Sequence, residues 1–229
     1  MADDLQITLK DVRLSFVSLF DAKVYKDKKT GEIQSYSQEV NILLDKDADK
    51  ATIDKIKEMQ RAAIKARFGD NPPTIPAENR CLRDGEIVDP DTGEKKARWQ
   101  GYSNKVFISA SKKFKQPLDQ VDPAKRVQLL DGFKGPDGKF PRLKASDGKL
   151  YSGVYADVII RIYAYDGRKD ENPNRVNASL EAVKFRRHGD AFGAAPVNAD
   201  DLFEENEVDD DDFGSKPTSK ASSAEDDLM

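Results

Sequence analysis

Residues 151–165 alternate with a period of two and no interruption. Val154, Ala156, Val158, Ile160, Ile162 and Ala164 fall on one phase; Tyr155, Asp157, Ile159, Arg161, Tyr163 and Tyr165 fall on the other. Successive side chains of a strand point to opposite faces, so this stretch is a strand with an aliphatic side for the core. Its aromatic and charged side is directed outward. Such a strand needs partners for its backbone and a layer against its aliphatic face, which places the chain among β-rich folds.

The remaining pattern agrees. Residues 5–20 read as a strand whose apolar phase changes between Ile7 and Leu9 and then Val12, Leu14 and Phe16, which predicts a bulge. A polar turn at 26–31 leads to a second strand, 37–44, with Val40, Ile42 and Leu44 on one face. A helix follows over about 48–68, where Ile53, Ile56, Met59, Ala63 and Ile64 make a core-packing stripe and Gly69 supplies the stop. Two loop-rich regions, 70–97 and 112–149, flank a strand at about 98–109, and a final strand covers about 176–187. No internal repeat stands out. The expectation is a mainly β body with one or two helices, spanning residues 1–193.

Charge divides the chain in the same place. From Asp200 onward twelve carboxylates face only Lys216 and Lys220, a net of −10, so the overall −4 leaves +6 on the preceding residues. The segment 194–229 has too few apolar residues to offset the entropy of ordering and is expected to be a disordered acidic tail. As a flexible chain it would reach on the order of 30 Å. A basic body joined to an acidic tail is an arrangement suited to binding a polyanion.

Several classes are disfavoured. One Cys (Cys81) and one His (His188) provide neither a disulfide nor a tetrahedral zinc site, and both read as structural residues. No phosphate-binding loop, dinucleotide fingerprint or nucleophile elbow occurs, so no cofactor or metal is expected. No run approaches the roughly 18–20 apolar residues of a membrane span. The acidic start lacks the regions of a signal peptide, and the expected location is the cytoplasm. A metal-dependent nuclease would have to use Asp157 and Glu181, with Lys184 nearby. Glu181 and Lys184 are three apart, however, which strand alternation sends to opposite faces. The chain is therefore expected not to be an enzyme.

The positive signal is cations interleaved with aromatics on strands. Single-stranded DNA exposes base faces as well as phosphates, so a non-specific binder needs stacking platforms beside Lys and Arg. The outward row of the 151–165 strand offers Tyr155, Arg161, Tyr163 and Tyr165. With Val106 and Ile108 assigned to the core, Lys105 and Phe107 point outward, Trp99 shares their phase, and Lys112 and Lys113 add charge. For each aromatic the competing role is packing beneath a loop. If all are structural, the chain is a protein–protein adaptor without affinity for DNA.

Longer blocks carry a family likeness. Leu82-Arg83-Asp84-Gly85, Gly101-Tyr102-Ser103-Asn104-Lys105-Val106-Phe107-Ile108-Ser109-Ala110-Ser111 and Tyr151-Ser152-Gly153-Val154-Tyr155 resemble the single-stranded DNA-binding proteins of tailed bacteriophages. So do Tyr163-Ala164-Tyr165-Asp166, Asn177-Ala178-Ser179-Leu180-Glu181-Ala182-Val183-Lys184-Phe185 and Gly189-Asp190-Ala191-Phe192-Gly193. The resemblance implies an elaborated OB-fold, a five-stranded barrel, acting in phage DNA replication, recombination or repair inside an infected bacterium. It adds Tyr102 and Tyr151 to the expected DNA contacts. The charge split and the acidic-then-apolar terminus Glu-Asp-Asp-Leu-Met point to a tail that competes with DNA and recruits partners, with Asp209, Asp210, Asp211, Asp212, Phe213, Glu225, Asp226, Asp227, Leu228 and Met229 as the partner-binding residues. A polymerase or recombination protein is the expected tail partner, and a homodimer and strand annealing are both compatible. Two features depart from the pattern. The helix follows the second strand rather than the third, and the chain ends Asp-Asp-Leu-Met rather than Pro-Phe.

Overall fold

The computed structural model describes residues 5–170 and 172–193. The expected tail and its partner-binding residues lie outside them. In chain order the elements are β1 (Gln6–Lys26), β2 (Ile33–Asp45), α1 (Lys50–Phe68), β3 (Leu82–Asp84), β4 (Glu86–Val88) and β5 (Lys95–Ala97). They continue with β6 (Lys105–Phe114), β7 (Gln128–Leu130), β8 (Tyr155–Tyr165) and β9 (Arg175–Arg187).

Five of these strands close into a barrel. β1 pairs antiparallel with β2 on one side and β8 on the other, β2 pairs with β6, and β8 pairs with β9. The ring is completed by a short parallel seam between β6 and β9, Ala110 opposite Ala178 and Ser111 opposite Ser179. Closure leaves no free edge among the five strands. β3 extends the sheet from β6 and β7 extends it from β9, while β4 and β5 form a separate hairpin. This is the five-stranded, OB-like architecture expected, with α1 inserted between the second and third barrel strands.

The barrel is filled as the alternation requires. Val154, Ala156, Val158, Ile160 and Ile162 are fully buried, and Leu9, Leu14, Ile42, Ile108 and Leu180 meet them from the other strands. α1 covers the core with Ile53, Ile56, Met59 and Ala63 and ends at Gly69, whose N–H bonds the Lys65 carbonyl. Cys81 packs in the same core, and burial pushes its thiol up to about 11, which makes it an inert filler. His188, just beyond β9, stacks on Tyr151 with ring centroids 5.8 Å apart.

Of the register shifts along β1, two coincide with positive φ and bear on the site. Its register with β8 slips between Leu9 and Val12, and its register with β2 slips between Ser15 and Ser18. Asp11 and Phe16, one at each slip, have φ of 50°. The first bulge is the phase change visible in the sequence. The second turns Phe16 away from the apolar phase to which alternation assigns it, leaving it 51% exposed.

The β1–β2 and β4–β5 turns share one design, Asp-x-x-Thr-Gly-Glu, at 27–32 and 89–94. In each the Asp carboxylate accepts two backbone N–H groups, the Thr hydroxyl accepts the N–H of the Glu, and the Gly takes a positive φ (75° and 71°). Only Gly adopts that conformation without steric cost. The repeated hexapeptide escapes a search for longer repeats.

Candidate nucleic-acid interface

A groove of about 1100 Å³ crosses the barrel wall. β1 contributes Phe16, Lys23 and Tyr25; β2 contributes Glu39 and Asn41; β6 contributes Ser109, Lys112 and Lys113. β8 supplies Arg161, Tyr163 and Tyr165, β9 supplies Arg175 and Asn177, and Arg80, Arg83 and Trp99 come from the segments before β6. The roots of the β1–β2 and β8–β9 hairpins both border it.

Its electrostatics are one-sided. Seven cations line the groove (Lys23, Arg80, Arg83, Lys112, Lys113, Arg161 and Arg175) against two carboxylates, Glu39 and Glu78. Glu39 is already engaged: Lys23 Nζ lies 3.0 Å away and the Tyr25 hydroxyl donates at 2.7 Å. The hydrogen bond from Lys23 to Glu39 raises the Lys23 pKa and keeps it charged. Lys112 pairs with Glu181 at 2.8 Å. Among the described residues Arg80, Arg83, Lys113 and Arg175 make no ion pair. Uncompensated cations along one concavity concentrate positive potential there.

Six residues expected from sequence converge on this groove: Trp99, Lys112, Lys113, Arg161, Tyr163 and Tyr165. Trp99 is 46% and Tyr163 43% exposed, so both offer ring faces to solvent. The other five do not join them. Tyr102 and Phe107 point out of the barrel but are buried in a second small cluster with Leu43 and Phe192, under the turn that carries Trp99. Their rings contact the Trp99 ring edge-on, at 5.0 and 5.9 Å. Alternation gave the outward direction correctly and could not show that a loop folds back over it. Lys105 begins β6 away from the groove and pairs with Asp45 at 3.1 Å. Tyr151 donates to the Gly189 carbonyl at 2.9 Å, and Tyr155 lies under the Arg187 guanidinium at 3.5 Å.

The lock beneath Trp99 accounts for two of the sequence blocks. The Phe192 ring lies so close to Gly101 that a Cβ there would be 2.4 Å from it, and the Arg13 guanidinium lies over the same ring, 4.2 Å from its centroid. Gly193 N–H bonds the Gln100 side chain at 2.9 Å. The Gly-Tyr-Ser and Ala-Phe-Gly blocks thus hold one another and fix the turn that presents Trp99.

Phe16, Tyr25, Lys23, Arg80, Arg83 and Arg175 were missed by sequence reasoning. Phe16 carried a signal, because residues 15–20 break alternation. Tyr25 lies in the part of β1 past Phe20 that reads as turn approach.

Asp157 and Glu181 form no metal centre. Asp157 bonds Arg186 at 2.8 Å, Lys184 at 3.0 Å and the Asp11 N–H at 3.0 Å, while Glu181 accepts from Lys112 and Ser179. Among the described residues no cluster of three metal-ligating side chains occurs. No helix there is long and apolar enough to cross a membrane.

The model of the family described as "Enterobacter phage Enc34, ssDNA-binding protein" matches residues 5–213. Protein p50 of Acyrthosiphon pisum secondary endosymbiont phage 1 is 29% identical over 212 residues, 88% of this chain and 94% of that protein. Among solved structures, the single-stranded DNA-binding protein from bacteriophage Enc34 in complex with ssDNA superposes with a TM-score of 0.58. It is 19% identical and covers 82% of this chain and 90% of its own. A C-terminal truncation of that protein gives 0.56 at 19% identity over 82% and 88%. At such identity the likeness is one of fold.

Proposed function

The chain belongs to the Enterobacter phage Enc34 ssDNA-binding protein family, and on that footing we propose that it binds single-stranded DNA along the groove without altering it. The observation that carries this reading is the groove itself, where exposed aromatic rings stand among seven cations and only two carboxylates. Bases stack on Trp99, Tyr163 and Tyr165, each stack contributing roughly 1–3 kcal/mol. Lys112, Lys113, Arg161 and Arg175 follow the phosphates. Tyr102 and Phe107 act from beneath, by holding Trp99.

Duplex DNA hides its base faces, so stacking platforms favour the single strand. The commitment of Asp157 and Glu181 to ion pairs supports binding without hydrolysis. The setting is phage DNA replication, recombination or repair in the cytoplasm of an infected bacterium. The acidic residues from Asp200 onward compete with DNA for the basic groove, and once displaced they recruit a polymerase or recombination protein.

Fluorescence anisotropy of a labelled thymine oligonucleotide and of a duplex of equal length, with magnesium present, tests the reading. The expected result is saturable binding that prefers the single strand, weakens as salt rises and leaves the oligonucleotide intact. No binding to either form would leave the adaptor role, and magnesium-dependent shortening would make the protein a nuclease.

A further inference from the structure

Two residues that sequence patterning does not single out for binding, Phe16 and Arg83, line the groove with Trp99. Phe16 sits at the second bulge of β1 with φ of 50°, a conformation that a bulky aromatic side chain rarely adopts. It remains 51% exposed and touches the Trp99 ring edge-on at 5.1 Å. A strained backbone that holds an apolar ring in solvent gains nothing for the core, and strain of this kind clusters at binding sites. Arg83 lies on the other side of the same aromatic cluster, its guanidinium 4.8 Å from the Phe107 ring centroid.

Arg83 is fixed by a chain of polar groups. Its Nη2 donates to Ser109 Oγ at 2.5 Å, Ser109 donates to Asn41 Oδ1 at 2.8 Å, and Asn41 donates to the Tyr102 hydroxyl at 3.0 Å. The bond to Ser109 is the one side-chain hydrogen bond it makes among the described residues, and its Nε, enclosed by protein, has no acceptor. A half-buried guanidinium held in place with most donors unused, lining the same groove as two exposed rings, is an anion site waiting for its ligand.

We propose that Phe16, Trp99 and Arg83 form a nucleotide subsite within the groove, Phe16 receiving a base on its exposed face and Arg83 the adjoining phosphate. Asn41 and Ser109 are positioning residues that hold Arg83 toward that phosphate. The subsite rests on the single-stranded DNA reading and gives it an address. It also explains why Arg83 stands in the Leu-Arg-Asp-Gly block, where β3 pairs with β6 and sets the side chain against Ser109.

The test uses the full chain and a thymine oligonucleotide, with affinity, its salt dependence and the melting temperature measured for each variant. Phe16→Asn places a residue tolerant of positive φ at the bulge. It should lose roughly fivefold to a hundredfold in affinity while its melting temperature holds or rises. Phe16→Tyr should keep the affinity. Arg83→Gln should reduce the slope of log affinity against log salt by about 0.7, the share of one single-strand phosphate. Parental affinity in Phe16→Asn, or a loss matched by a fall in melting temperature, overturns the stacking role. An unchanged salt slope in Arg83→Gln overturns the phosphate role. If the parent itself fails to bind, the DNA reading falls rather than the subsite alone.

Discussion

Asp157 lies on the outward phase of β8, yet it is only 7% exposed. Two cations of β9 and the N–H at the first β1 bulge close over it. Burial works to raise its pKa, but the bonds from Arg186, the Asp11 N–H and Lys184 outweigh burial and hold the carboxyl below its ordinary value. Asp157→Ala should therefore cost about 2–3 kcal/mol at pH 7, since it strands an amide and two cations. Because the folded pKa is depressed, this contribution is present above the ordinary carboxylate pKa of about 4 and disappears as pH falls below it. Denaturant unfolding at pH 7 and pH 3 should show the parent's advantage shrinking toward the acid end. An equal gap at both values would mean that the carboxylate's charge is not what stabilises. The same residue illustrates how a nuclease candidate arises from sequence, since a carboxylate on a strand looks identical whether it awaits a metal or already holds an arginine.

At the level of elements, regular alternation was readable and departures from it were not. The fully buried phase of β8, the α1 stripe with its Gly69 stop and the first bulge of β1 all follow from spacing. The fold-back of the Trp99 turn over Tyr102 and Phe107 does not, because it depends on Phe192 docking from some ninety positions away in the chain. Nor does the second bulge, which moves Phe16 from core phase to groove rim. Six of the eleven expected DNA contacts therefore gathered in one groove, and its Arg80, Arg83 and Arg175 stayed hidden in loops and short or terminal strand segments. The closing seam is a further product of long-range pairing. Ala110 and Ala178, 1% and 2% exposed, are opposed across only two parallel pairs. Ala178→Leu should overpack this seam and lower stability by about 1–3 kcal/mol. The urea midpoint would report it, and an unaltered midpoint would show that the seam has room to spare.

Over the whole molecule the charge split makes a claim of its own. Net +6 precedes Asp200 and −10 runs from Asp200 onward, while seven cations line one groove. Deleting residues 200–229 should tighten binding to a thymine oligonucleotide, most strongly at low salt where the competition is least screened. Weaker binding by the shortened protein would remove the tail from competition. The central claim, that a single strand lies across this groove with bases against its rings, is tested most directly by the fluorescence of Trp99, the one tryptophan in the chain. Titration with a thymine oligonucleotide and with a matching duplex, at low and at high salt, should give a saturable change for the single strand that weakens with salt and is not reproduced by the duplex. A strand that binds, by an independent measure, while Trp99 fluorescence stays constant would place the DNA elsewhere on the protein and contradict the account.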